Sequence, residues 1–214
     1  VSLPSPLLAV TDRQGYARPL PLTVRSILAG GGRWIWFRDR DLPADERRRL
    51  GEAVAAEVRA AGGVLTVGGD VALAAELGAG GVHLGGSSGP DAVAKARDRL
   101  GASALVGVSA HAPGEIAALA AAGADYVTLS PIFPTSSKPG YGPALGPAGL
   151  SEAQAYGLPV VALGGVGADN LAACRAAGAA GFAVMGGVMR AEDPAEEVRR
   201  LLEAWTAAAP AGRG

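Results

Sequence analysis

The 214-residue chain has one cysteine, Cys174, and two histidines, His83 and His111. A single cysteine excludes an internal disulfide and a cysteine-based zinc site, and it fits a reducing, cytoplasmic setting. Cys174 lies in an Ala-rich helical stretch and reads as a small buried residue rather than a nucleophile. An excess of charge of either sign is also missing. Nineteen Lys and Arg against 20 Asp and Glu leave a net −1, so no broad basic footprint for nucleic acid is expected. The basic clusters at 47–49 and 199–200 sit among acidic neighbours and read as solvated helix faces. No apolar run reaches the roughly 18 residues of a membrane span. The opening Val1-Ser-Leu-Pro lacks the basic and apolar regions of a signal peptide.

What is present is repetition. The stretches LGAGGVHL (77–84), AGADYVTL (122–129) and AGAAGFAV (177–184) each end an Ala/Leu helical pattern on a glycine and run into a short apolar strand. A glycine there suits the left-handed helix terminus. Short apolar runs bounded by turn signals predict eight strands, at 7–11, 34–38, 64–67, 81–84, 104–108, 126–129, 160–163 and 181–185. Helical patterns fill the gaps at about 20–30, 43–61, 70–78, 90–99, 113–122, 147–156, 168–177 and 193–207. Eight alternating β/α units with non-alternating apolar strands predict an α/β fold, a single (β/α)8 TIM barrel over 1–207. An Ala/Gly/Pro-rich tail at 208–214 is expected to fray. A doubly wound open sheet is the alternative, but no Gly-rich dinucleotide fingerprint supports it.

In such a barrel, function sits at the C-terminal ends of the strands. That rule collects Arg38 and Arg40 after the second strand, His83 at the end of the fourth, and Ser109 and His111 after the fifth. The sixth strand opens into SPIFPTSSKPGYG (130–142), a stiff polar loop with three prolines and the side chains of Thr135, Ser137 and Lys138. Gly164-Gly165 and Gly186-Gly187 follow the last two strands, where backbone N–H groups commonly receive phosphate. The predicted mouth suits an anionic small molecule, with both histidines on its rim.

These residues also carry a resemblance. The stretches SPIFPTSSK (130–138), GVHLG (81–85), GVSAH (107–111), GADY (123–126) and ALGGV (162–166), with Thr11-Asp12, resemble the thiamine phosphate synthase/TenI family along nearly the whole chain. The resemblance implies an enzyme of thiamine biosynthesis. In the synthases a pyrimidine diphosphate is joined to a thiazole phosphate with Mg²⁺, and pyrophosphate is released. It implies that the Lys138 loop and Ser109 handle pyrophosphate and pyrimidine, while Gly165 and the Gly186 turn hold the thiazole phosphate. The family's Gln-x-Arg-x-Lys appears here as Trp36-Phe-Arg38-Asp-Arg40. Its two Mg²⁺-binding aspartates correspond to Gly69 and Ser88, with Asp70 as a substitute after a register shift. The catalytic histidine of the TenI tautomerases corresponds to Pro131.

The leading expectation is therefore a TenI-like, metal-independent thiazole tautomerase that binds a thiazole or thiamine phosphate, with His83 and His111 as the proton-transfer candidates. No metal or other cofactor is expected; Mg²⁺ enters only if the chain is a thiamine phosphate synthase, the first alternative. A non-catalytic phosphate-ligand binder is the second. Phosphorylated small molecules are the expected partners, with no nucleic acid and no membrane. The oligomeric state is left open, a homo-oligomer included. Trp36 either closes part of a pyrimidine site or fills the barrel.

Overall fold

The computed structural model describes residues 2–14, 18–135 and 143–208. Strands β1 (Leu7–Val10), β2 (Trp34–Phe37), β3 (Val64–Gly68), β4 (Gly81–Leu84), β5 (Leu105–Ala110), β6 (Tyr126–Leu129), β7 (Val160–Leu163) and β8 (Gly181–Val184) form a closed barrel in sequence order. All pairings are parallel, and β8 closes on β1. Helices α1 (Leu20–Ala29), α2 (Ala44–Ala60), α3 (Val71–Glu76), α4 (Gly89–Leu100), α5 (Ile116–Ala121), α6 (Gly146–Ala153), α7 (Leu171–Ala176), α8 (Gly186–Met189) and α9 (Pro194–Ala207) lie between and after the strands. The expected barrel is the observed fold. Most of the tail expected at 208–214 lies outside the described residues.

Strand alternation builds two cores. Ile35, Phe37, Val82, Leu84, Val127 and Leu129 face outward into the helices. Leu8, Val10, Trp34, Trp36, Tyr126, Val161 and Ala183 fill the barrel interior. Both strand faces are dry, which is why the strands read as continuous apolar runs rather than alternating ones. Inside, Trp34 and Tyr126 meet edge to face with centroids 4.7 Å apart. Gly107 makes room for them, because a Cβ there would collide with the Tyr126 ring. Each large side chain buried in this way contributes about 1.5–3 kcal/mol.

Nearer the C-terminal end the interior turns polar. Thr66, His83 and Thr128 are fully buried, and β4 places His83 opposite Gly68 on one side and Gly107 on the other. One expected surface charge also lies inside. Arg47, read from sequence as part of a solvated face, is buried on α2 and donates to the Asp39 carbonyl (2.9 Å), the Gly68 carbonyl (2.8 Å) and Asp70 Oδ2 (2.9 Å). It ties the ends of β2 and β3 together. Its neighbour Arg48 does pair on the surface, with Glu52, as do Arg199 and Arg200 with Glu196 and Glu197.

Candidate active site

The C-terminal strand ends surround a cavity of about 1090 Å³. On its β1–β4 side the rim is built by a buried polar clasp. Thr11 Oγ1 donates to Asp39 Oδ2 (2.5 Å) and accepts from the Arg38 N–H (3.0 Å), while Asp39 Oδ1 accepts from the Arg13 N–H (2.8 Å). Asp39 is thus committed to holding the loop, and the arginines on either side of it, Arg38 and Arg40, line the cavity. Among the described residues, neither guanidinium forms an ion pair or a hydrogen bond. Burial, then the charges of Arg38 and Arg47, push the Arg40 pKa down from its ordinary value. An anion arriving here meets two guanidinium groups, with Asp12 and Asp41 also on the cavity wall.

The Mg²⁺ that the resemblance implies does not fit the residues present. Gly69 has no side chain, and Ser88 offers a hydroxyl in place of a carboxylate. Asp70 does not substitute: its Oδ2 pairs with Arg47, and its Oδ1 accepts the Leu73 N–H at 2.9 Å, capping α3. No group of three or more His, Cys, Asp or Glu able to hold a metal occurs among the described residues. Magnesium requires hard oxygen ligands, carboxylates above all.

The two histidines part company. His83 is 0% exposed and lies below the rim rather than on it. Its Nδ1 meets the Tyr126 hydroxyl (2.9 Å), and its Nε2 meets Ser109 Oγ (3.1 Å) and Thr128 Oγ1 (3.3 Å). Trp36 stacks on its ring at 3.8 Å. Burial, and then the charge of Arg40, lower its pKa to about 3, so the ring stays neutral. This corrects the expectation that His83 stands on the rim: it is buried and hydrogen-bonded to Ser109, which does line the cavity. Trp36 fills the barrel and floors the cavity at once.

His111 does line the cavity. Its Nδ1 lies 2.9 Å from the Ser130 carbonyl. A carbonyl only accepts, so Nδ1 is the donor in that contact. Gly86 lets the ring lie close, since a Cβ there would stand 3.1 Å from Nε2.

The β6–β8 side has a different construction. Gly164 and Gly165 both adopt positive φ, at 91° and 64°. The turn is pinned by Asn170, which donates to the Gly165 carbonyl (2.9 Å) and accepts from the Gly167 N–H (3.0 Å). The loop after β6 folds over this turn: a Cβ on Gly165 would stand 2.8 Å from Phe133. Gly186 opens the short helix α8, and a Cβ there would strike the Arg190 guanidinium. Gly187 is open to the cavity. Thr135 lines the cavity too, while Ser137 and Lys138 lie outside the described residues. Sequence reasoning missed Arg190, whose one signal was a cation four residues after Gly186. Cys174 is buried with its thiol pKa raised to about 11, so it is no nucleophile.

The profile of a family described as thiamine monophosphate synthase matches residues 7–188. The chain is 42% identical over 198 residues to the thiamine-phosphate synthase of Chromobacterium violaceum, covering 91% of this chain and 93% of that one. It is 40% identical over 197 residues to the thiamine-phosphate synthase of Thioalkalivibrio sulfidiphilus, covering 91% and 92%. The solved thiamine phosphate pyrophosphorylase of Pyrococcus furiosus superposes with a TM-score of 0.83 at 28% identity, covering 94% of this chain and 96% of that one. Sequence, fold and the glycine-lined mouth agree: the protein belongs to the thiamine monophosphate synthase family.

Proposed function

We propose that the protein is a thiamine-phosphate synthase, which joins a pyrimidine methyl diphosphate to a thiazole phosphate and releases pyrophosphate. The observation that carries this is a cavity with two separate anion-receiving ends, arginine side chains over β2 and glycine turns over β7 and β8. Two phosphorylated substrates need two such ends; a tautomerase with one phosphorylated substrate needs one. The names of the relatives support the synthase, the alternative in the sequence reading, over the TenI-like tautomerase that led it.

In this reading Arg38 and Arg40 bind the diphosphate. Gly165, Gly186 and Gly187 receive the thiazole phosphate through backbone N–H groups. Ser109, hydrogen-bonded to His83, and the loop carrying Thr135, Ser137 and Lys138 contact the substrates between them. The methylene–oxygen bond breaks, pyrophosphate leaves with the electron pair, and the thiazole nitrogen donates its lone pair to the methylene carbon. The barrel's part is to align the nitrogen with the carbon opposite the leaving oxygen.

One observation favours a second reading. His111 lines the cavity, and an imidazole there suits the proton transfer of a thiazole tautomerase. The test is to incubate purified protein with both synthase substrates and measure pyrophosphate release and thiamine phosphate. Turnover supports the synthase. No turnover, with isomerisation of a carboxylated thiazole phosphate, supports the tautomerase.

A further inference from the structure

The glycines at the ends of β3 and β4 adjoin an arginine. A Cβ on Gly69 would stand 3.3 Å from Arg40 Cζ, 3.4 Å from Nη1 and 3.5 Å from Nε. One on Gly85 would stand 3.7 Å from Arg40 Nη1 and 4.0 Å from both Nη2 and Ser88 Oγ. The Arg40 guanidinium therefore bridges the ends of the two strands. It covers Gly69 directly, one of the two positions where the family resemblance puts the metal-binding aspartates, and adjoins Gly85, which also neighbours the other, Ser88.

From this geometry we infer that the Arg40 guanidinium takes the place of the divalent cation, so that the diphosphate is bound, and its leaving charge neutralised, by Arg40 and Arg38 without metal. The inference rests on the synthase reading. Three observations converge on it. The carboxylates that would hold a cation are missing at 69 and 88, and the nearby one, Asp70, is engaged on both oxygens. A guanidinium at this spot repels a divalent cation. It also offers a planar fork of N–H donors that matches phosphate oxygens, which a lysine ammonium does not. Gly69 adopts φ +68° and, with no Cβ, lets the guanidinium lie close to the strand end.

The chemistry balances without a further reactant. Pyrophosphate departs carrying the electrons of the broken C–O bond, and the new C–N bond leaves the positive charge on the thiazolium ring. The developing negative charge falls on the oxygens that Arg40 and Arg38 contact.

The test is calorimetric titration of the protein with inorganic pyrophosphate, in EDTA and then with Mg²⁺, alongside Arg40→Gln and Arg40→Lys, with melting curves for each. Saturable binding in EDTA, weakened about tenfold or more by Arg40→Gln and less by Arg40→Lys, is the expected result. Binding that requires Mg²⁺, or Arg40→Gln binding like the parent, overturns the inference. Pyrophosphate release is then measured from the two substrates in the same buffers. Turnover in EDTA supports both readings. Turnover only with Mg²⁺ keeps the synthase and overturns the metal-free inference. Arg40-dependent binding in EDTA with no turnover in either buffer supports the anion site and removes the synthase reading.

Discussion

The two sides of the barrel mouth handle charge by different means. Over β2 the positive groups are side chains, Arg38 and Arg40, on a loop held by a buried Thr11–Asp39 clasp. Over β7 and β8 they are mainly backbone N–H groups exposed by glycines, two of which adopt positive φ, with the Arg190 guanidinium beside Gly186. Side-chain charge can be removed without disturbing the fold. Backbone charge cannot, because the same glycines that open the turn also let neighbouring loops approach. The two sides should therefore fail differently when altered.

The largest effect is expected from Arg38→Ala with Arg40→Ala. Losing two charge-assisted contacts should lower kcat/KM for pyrophosphate release about 10³-fold, with the melting temperature unchanged. A large fall in melting temperature would break the contrast, since it would make the arginine rim structural. Gly165→Val tests the other side. Its positive φ is hostile to a β-branched residue, and its Cβ would meet the Phe133–Pro134 backbone. A loss of about 4 kcal/mol in unfolding free energy is expected in chemical denaturation, together with weaker thiazole-phosphate binding.

Arg47→Ala comes next. It leaves the Gly68 and Asp39 carbonyls and Asp70 short of a buried donor, so a loss of about 3 kcal/mol is expected by urea titration. The arginine rim then proves to depend on a structural arginine beneath it.

The smallest effect concerns His83, whose pKa is lowered from 6.5 to about 3. Its contribution is fully present above pH 6.5 and is lost as pH falls toward 3, because the unfolded chain takes up the proton and the folded chain does not. Between pH 7 and 5 this amounts to about 2 kcal/mol. Unfolding free energies of the parent and His83→Gln at the two pH values should show a smaller pH dependence in the variant. An equal dependence would mean that His83 titrates normally.

Much of the fold was legible because a barrel strand is a short apolar run between turn signals. β4, β6 and β7 match their expected ranges in full. β5 runs two residues further than expected, to Ala110, because polar Ser109 disguised its end. α7 begins at Leu171 rather than 168 because the Asn170 side chain folds the preceding residues into a turn. The short α8 was missed because two glycines at its start read as loop. At the site, Arg38, Arg40, Ser109, His111, Thr135 and the three glycines come together at one cavity. His83 was misjudged because its place in the sequence marks the strand end but not the depth of the side chain.

Sequence alone determined the eight-unit repeat, the end of the barrel that bears the site, and the absence of aspartate at positions 69 and 88. These follow from local periodicity, turn chemistry and residue identity. Only the tertiary structure decided that His83 is buried and neutral, that Arg47 is an internal strut, and that Arg40 lies across Gly69 and Gly85. Burial and charge balance are set by groups distant in the chain, and they exist only once the barrel has closed.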